Sequence, residues 1–70
     1  MISFDPLWKT LEKKNISQYE LINYYDIDKK TLDSLRHNRS ITLNTLNDLC
    51  SKLDCKVEDI IKYIPEKKKL

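Results

Sequence analysis

The chain has 70 residues, of which 40% are hydrophobic and 34% are charged, with no glycine and only two prolines. This composition fits one small helical domain with a compact core, and it excludes a disordered or loop-rich chain. No apolar run reaches transmembrane length and residues 1–6 lack the features of a secretion signal, so we expect a cytoplasmic protein with no membrane association.

The net charge of +2 is concentrated in two parts of the chain. Residues 1–27 and residues 42–64 each carry a slight excess of acidic side chains, whereas residues 28–41 and the end of the chain are basic. We therefore expect a single domain over residues 1–65, followed by a basic, flexible tail over residues 66–70.

The first two helices are predicted from their capping residues. Asp5 is expected to cap the first helix, with Pro6 in its first turn, and this helix ends near Asn15. The second runs from Ser17 to about Tyr25, and Ser17 forms a capping box with the glutamate three residues later.

Three further helices complete the predicted all-α fold. The third runs from Asp28 to about Arg36, and a polar connection over residues 37–40 follows it. The fourth opens at Thr42 and carries an apolar stripe at helical spacing, formed by Leu46, Leu49, Cys50 and Leu53. A fifth is expected from near Lys56 until Pro65 stops it.

Two of these helix starts, at Ser17 and Asp28, lie eleven residues apart. Each follows an apolar residue and precedes a leucine by four residues, which is the pattern of a capped helix start with a hydrophobic staple. Two short helices and a tight corner fit this interval. The spacing therefore predicts a helix-turn-helix formed by the second and third helices.

The outer face of the third helix carries basic and hydroxyl side chains. Because a helix turns about 100° per residue, the face opposite the buried Leu32 and Leu35 is centred near Lys30. The side chains on or beside this face are Lys29, Lys30, Thr31 and Ser34. Lysines can donate to guanine or to phosphate and hydroxyls can bond base edges, so this face suits the DNA major groove.

Asp33 is the one acidic residue close to this face. A carboxylate there repels phosphate unless it accepts a hydrogen bond from cytosine or pairs with a cation. We expect Asp33 to pair with Lys29 or Lys30, three or four residues earlier on the same helix.

The chain also carries a family resemblance, which rests on Gln18, Leu21, Ile27, Thr31, Leu32 and Leu35, on the basic connection after them, and on residues 49–65. In this order they resemble the Cro/CI (XRE-type) helix-turn-helix DNA-binding domain, in its small stand-alone subgroup. The resemblance implies a five-helix, lambda-repressor-like fold. Two positions depart from the family pattern, since Asp26 stands where glycine is usual and Ile22 where alanine is common. Aspartate adopts the left-handed backbone of that corner at modest cost.

The resemblance also implies roles for individual residues. The base-reading positions of the family fall on Lys29, Lys30, Thr31 and Ser34. The positions that contact the DNA phosphates fall on Gln18, Arg36, His37, Asn38 and Arg39.

The remaining reactive side chains favour structural roles. His37 has no acidic, cysteine or histidine partner at the spacing of a metal ligand. Cys50 and Cys55 are expected to be buried, reduced thiols, because their spacing fits neither a zinc site nor a C-x-x-C redox pair. We therefore predict no metal, no cofactor and no enzymatic activity.

Three functions are compatible with these residues. The first is a sequence-specific, repressor-like transcriptional regulator that binds double-stranded DNA through the third helix as a homodimer, without a small-molecule ligand domain. The second is a protein-interaction module on the same fold, such as an antitoxin or anti-repressor. The third is a non-specific nucleic-acid binder that uses the lysine tail. Tyr63 and Ile64 are the first candidates for a dimer contact.

Overall fold

The structure, a computed structural model, describes residues 1–66, and residues 67–70 of the predicted basic tail lie outside them. Four α-helices form most of it: α1 (Asp5–Lys14), α2 (Gln18–Asn23), α3 (Lys29–Arg36) and α4 (Leu43–Leu53). A single 3₁₀ turn (Val57–Asp59) and two short strands, β1 (Ile2–Ser3) and β2 (Lys62–Tyr63), complete it. None of the helices in this part of the chain combines the length and the apolar character needed to cross a membrane.

Side-chain caps start three of the four helices where the sequence predicts them. Ser17 and Glu20 form the expected capping box at α2, and Asp28 caps α3 by accepting from the backbone N–H of Lys30 at 3.3 Å. Thr42 caps α4 in the same way. α2 ends at Asn23, two residues before the predicted end.

The start of α1 differs from the expectation. Asp5 is the first helical residue and not the cap, which is Phe4. The backbone N–H of Asp5 donates to the hydroxyl of the buried Ser3 at 3.2 Å. This hydroxyl takes the place of a capping side chain, and Pro6 occupies the first turn as predicted.

Helices and corners end on left-handed residues that are not glycine. Asn15, Asp26, Asn38 and Asp54 have φ angles between 50° and 56°. Asparagine and aspartate tolerate this conformation better than other side-chain-bearing residues do. In a chain without glycine they supply the turns, including the one at Asp26 in the helix-turn-helix.

The predicted fifth helix is replaced by the 3₁₀ turn and a strand. After the 3₁₀ turn, β2 pairs antiparallel with β1, so that Ile2 lies opposite Tyr63 and Ser3 opposite Lys62. Residues 57–64 are rich in β-branched and aromatic side chains, which favour extended backbone over helix. The fold is therefore mostly helical, as predicted, with four α-helices rather than five and a small sheet that the sequence did not indicate.

One hydrophobic core holds these elements together. It contains Phe4, Leu7, Leu11, Leu21, Ile27, Leu32, Leu35, Leu46, Leu49, Leu53 and Ile60. Every helix contributes to it, and the Thr10 hydroxyl also ties α1 to the 3₁₀ turn by donating to the carbonyl of Asp59 at 2.7 Å. The core thus fixes α2 and α3 against α1 and α4.

Candidate nucleic-acid interface

The corner between α2 and α3 is fixed by its backbone and by one buried residue. Ile27 is buried, and its N–H donates to the carbonyl of Leu21 at 2.9 Å across the left-handed Asp26. Leu32 and Leu35 of α3 then enter the core. These contacts determine which side of α3 faces outward.

The outward side of α3 presents two adjacent lysines in its first turn. Lys29 and Lys30 are exposed, and within residues 1–66 their ammonium groups have no hydrogen bond or ion pair. Ser34, one turn later, is half-buried. Thr31 is also half-buried and lines a shallow depression that includes Thr45 and Lys52 of α4, so it lies at the edge of this face.

Asp33 does not pair with either lysine, so the predicted pairing is wrong. Its carboxylate accepts from the Arg39 guanidinium at 3.1 Å, and the Nδ1 of His37 lies 3.4 Å from its other oxygen. The same Nδ1 is 2.9 Å from the backbone carbonyl of Asp33, which holds the imidazole beside the carboxylate. The loop after α3 therefore offsets the negative charge of Asp33, and the positive charges of Lys29 and Lys30 stay unpaired within residues 1–66.

Two of the residues expected to contact phosphate bind each other. The guanidinium of Arg36, at the end of α3, donates to the Gln18 side-chain oxygen at the start of α2 through Nε at 2.8 Å and also through Nη2. The sequence shows each residue as a separate candidate. Its periodicity cannot reveal this contact, because the two residues are eighteen positions apart on different helices.

Asn38 has a structural role that the sequence did not indicate. Its side-chain oxygen accepts a hydrogen bond from the backbone N–H of Phe4 at 2.9 Å, which links the loop after α3 to the N-terminal segment. Since its backbone is left-handed, Asn38 also turns the chain after α3. All five of the residues expected at phosphates thus make side-chain hydrogen bonds within the domain: Gln18 with Arg36, Asn38 with Phe4, and both His37 and Arg39 with Asp33.

The two cysteines lie together, with Cys50 in the last turn of α4 and Cys55 just after the helix. Both thiols are free and half-buried rather than buried, and the N–H of Cys55 donates to the carbonyl of Cys50 at 3.0 Å. Desolvation raises the pKa of the Cys55 thiol to about 11, and the neighbouring Cys50 and Asp59 add to this increase. Among residues 1–66, no three acidic, histidine or cysteine side chains come together as a possible metal site.

The fold, the capped corner and the exposed lysines of α3 define a helix-turn-helix DNA-binding domain. Residues 6–66 match the profile of the Cro/C1-type HTH DNA-binding domain, and the chain belongs to this family. The family is generally non-enzymatic. The predicted family and its class, a DNA-binding regulator of transcription, are confirmed.

A solved structure agrees with this assignment. The crystal structure of the transcriptional regulator VanUg, in its form II, is 32% identical to the chain and superimposes with a TM-score of 0.82. The match covers 93% of this chain and 87% of that one. None of the curated proteins matches the chain.

Proposed function

We propose that this domain is a sequence-specific, repressor-like regulator that inserts α3 into the DNA major groove and reads bases with Lys29, Lys30, Thr31 and Ser34. The observation that carries the proposal is the pair of exposed lysine ammonium groups, which are unpaired within residues 1–66 and stand at the first turn of α3. Lysine donates to the O6 and N7 atoms of guanine, and each good base contact contributes about 1–3 kcal/mol of discrimination.

Phosphate contacts on either side of α3 would hold it in register. The candidates are Gln18, Arg36, His37, Asn38 and Arg39, which lie at the start of α2 and around the end of α3. Contacts of this kind carry no sequence information, but they fix the orientation of a recognition helix on the duplex. Because Asp33 already binds one nitrogen of the Arg39 guanidinium, its carboxylate competes with a phosphate for this arginine.

A homodimer on an inverted repeat is the form in which we expect the domain to act. One module of this size buries too little surface for high affinity by itself. Exposed apolar side chains near the small sheet support self-association: Tyr63 is 65% exposed opposite Ile2, and Leu43 is 82% exposed beside a groove of about 470 Å³. Two copies would read half-sites about one helical turn apart.

Selection from a pool of randomised duplex DNA tests the base-reading proposal. We expect the wild-type chain to enrich an inverted repeat, and Lys29→Ala/Lys30→Ala to lose about 10–100-fold of its preference for that repeat over mixed-sequence DNA. Lys13→Ala/Lys14→Ala is the matched control. This variant loses the same two positive charges from the last turn of α1, where the charge of Lys14 opposes the rise in the Cys55 pKa. Its preference for the inverted repeat should equal that of the wild type.

Other outcomes would contradict the proposal in distinguishable ways. If no sequence is enriched and the chain binds no duplex, a protein-interaction role on the same fold replaces DNA reading. If the chain binds every duplex equally and removal of residues 67–70 abolishes binding, it is a non-specific binder that uses its basic tail. A wild-type preference that survives loss of both lysines shows that other residues read the bases.

A further inference from the structure

The contact between Arg36 and Gln18 bridges the two helices of the helix-turn-helix at their exposed ends. Gln18 is the first residue of α2 and Arg36 is the last residue of α3, and both side chains are exposed. Two N–H groups of one guanidinium converge on the single Gln18 oxygen, with Nε at 2.8 Å. A forked contact of this kind fixes direction as well as distance.

The fork determines how the Gln18 amide is oriented. A guanidinium has only donors, so the atom it binds must be the amide oxygen, and the NH₂ group points away from Arg36. Within the described part of the chain, the two N–H groups of this amide and the remaining N–H groups of the guanidinium have no acceptor. The Gln18–Arg36 pair therefore presents unused hydrogen-bond donors at one exposed position on the surface.

The same place carries an uncompensated positive charge. Asp33, the carboxylate nearest in sequence on α3, accepts from Arg39, and no carboxylate of residues 1–66 forms an ion pair with Arg36. Glu12 lines the depression between α1 and α2 beside Gln18 without such a contact. Donors and a cation together suit an oxyanion, and a donated hydrogen bond from a cation polarises the amide so that its N–H groups donate more strongly.

We propose that Arg36 is a positioning residue which holds the Gln18 amide, so that the two side chains bind one DNA phosphate as a single unit. The inference rests on the proposed function, in which the α2–α3 surface faces DNA. In this arrangement Gln18 donates to the phosphate through Nε2, and Arg36 supplies the charge and fixes the amide. Removing either side chain disables the same phosphate contact.

A double-mutant cycle measures this dependence on a mixed-sequence duplex of about 24 base pairs, where phosphate contacts dominate the affinity. We expect Gln18→Ala to weaken binding about fivefold, and Arg36→Ala to weaken it about 20-fold while lowering the salt slope by about 1. The double variant should bind no more than about twofold worse than Arg36→Ala, because both substitutions remove one contact. Losses that multiply to about 100-fold would overturn the proposal.

Arg36→Lys separates positioning from charge. Lysine keeps the charge and lacks the planar fork, so the salt slope should stay near the wild-type value while affinity falls as far as in Gln18→Ala. Wild-type affinity for Arg36→Lys would show that only the charge matters and would overturn the positioning role. Lys14→Ala is the control for loss of one charge elsewhere, and circular dichroism melts check that each variant is folded.

Failure of this inference is distinguishable from failure of the proposed function. Multiplicative losses together with an enriched inverted repeat overturn the coupled contact and leave base reading intact. A coupled loss without any enriched sequence supports the phosphate unit and overturns base reading. A wild-type chain that binds no duplex at low salt overturns both.

Discussion

Replacement of Asn38 by alanine should destabilise the domain although its side chain is exposed. The side-chain oxygen accepts from the N–H of Phe4, a residue that is only 3% exposed, and the backbone φ is 52°. Alanine loses the acceptor, which leaves a largely buried donor unpaired at a cost of about 1–3 kcal/mol. It also adopts the left-handed backbone less readily, at a further cost of about 1 kcal/mol. The expected loss of unfolding free energy is therefore about 2–4 kcal/mol.

Two further variants at the same position divide this cost. Asn38→Asp keeps an acceptor oxygen and tolerates the left-handed backbone, so it should stay within about 1 kcal/mol of the wild type. Asn38→Gly accepts the backbone but loses the oxygen, so it should fall between the other two variants. Urea unfolding followed by circular dichroism gives the three values. If alanine costs less than about 0.5 kcal/mol, the link between Phe4 and Asn38 does not stabilise the domain.

Three other substitutions or reactions extend the same reasoning. Asp33→Asn releases Arg39 and should steepen the salt dependence of binding to mixed-sequence DNA by about 1, and an unchanged slope would show that Arg39 stays away from phosphate. Leu49→Ala opens a cavity at a fully buried position and should cost about 2–5 kcal/mol in urea unfolding, whereas the exposed Leu43→Ala should stay within about 0.5 kcal/mol. Because the pKa of Cys55 is raised to about 11, its thiolate fraction at pH 8 is lower in the folded chain than in the unfolded chain. Iodoacetamide should therefore alkylate Cys55 more slowly in the folded chain than in urea, and the difference in rate should close towards pH 11. Equal rates of Cys55 alkylation at pH 8 would contradict the desolvation.

The predictable parts of the fold are those that local chemistry determines. Ser17, Asp28 and Thr42 cap helices because each oxygen reaches a backbone N–H only two or three residues away, and such contacts are visible in a short stretch of sequence. The strand at Lys62–Tyr63 was missed because its partner is sixty residues earlier. Residues 56–65 taken alone do not reveal a strand partner so distant in sequence, and they are equally compatible with a helix that ends at Pro65. Their β-branched content, which favours extended backbone, is the available signal for a strand.

The candidate site likewise has features that the local sequence predicts and features that depend on contacts between distant residues. Helical periodicity placed Lys29 and Lys30 outward, and the structure has them there. It could not predict that Asp33 turns to Arg39 rather than to the lysines, because the choice depends on how the loop after α3 folds back. Base reading and phosphate contact by the individual residues stay predictions, and the selection and binding experiments above test them.

The pairing of β1 with β2 sets an order of events for a chain made from its N-terminus. Met1 and Ile64 exchange hydrogen bonds at 2.9 and 2.7 Å, so the segment before α1 cannot pair until residues 62–64 have been synthesised. Helices α1 to α4 can form earlier from local contacts. The small sheet is therefore completed late in synthesis. The same proximity means that residues 1 and 64 could be joined by a short linker and new ends opened in an exposed loop, which would let α2 and α3 emerge first.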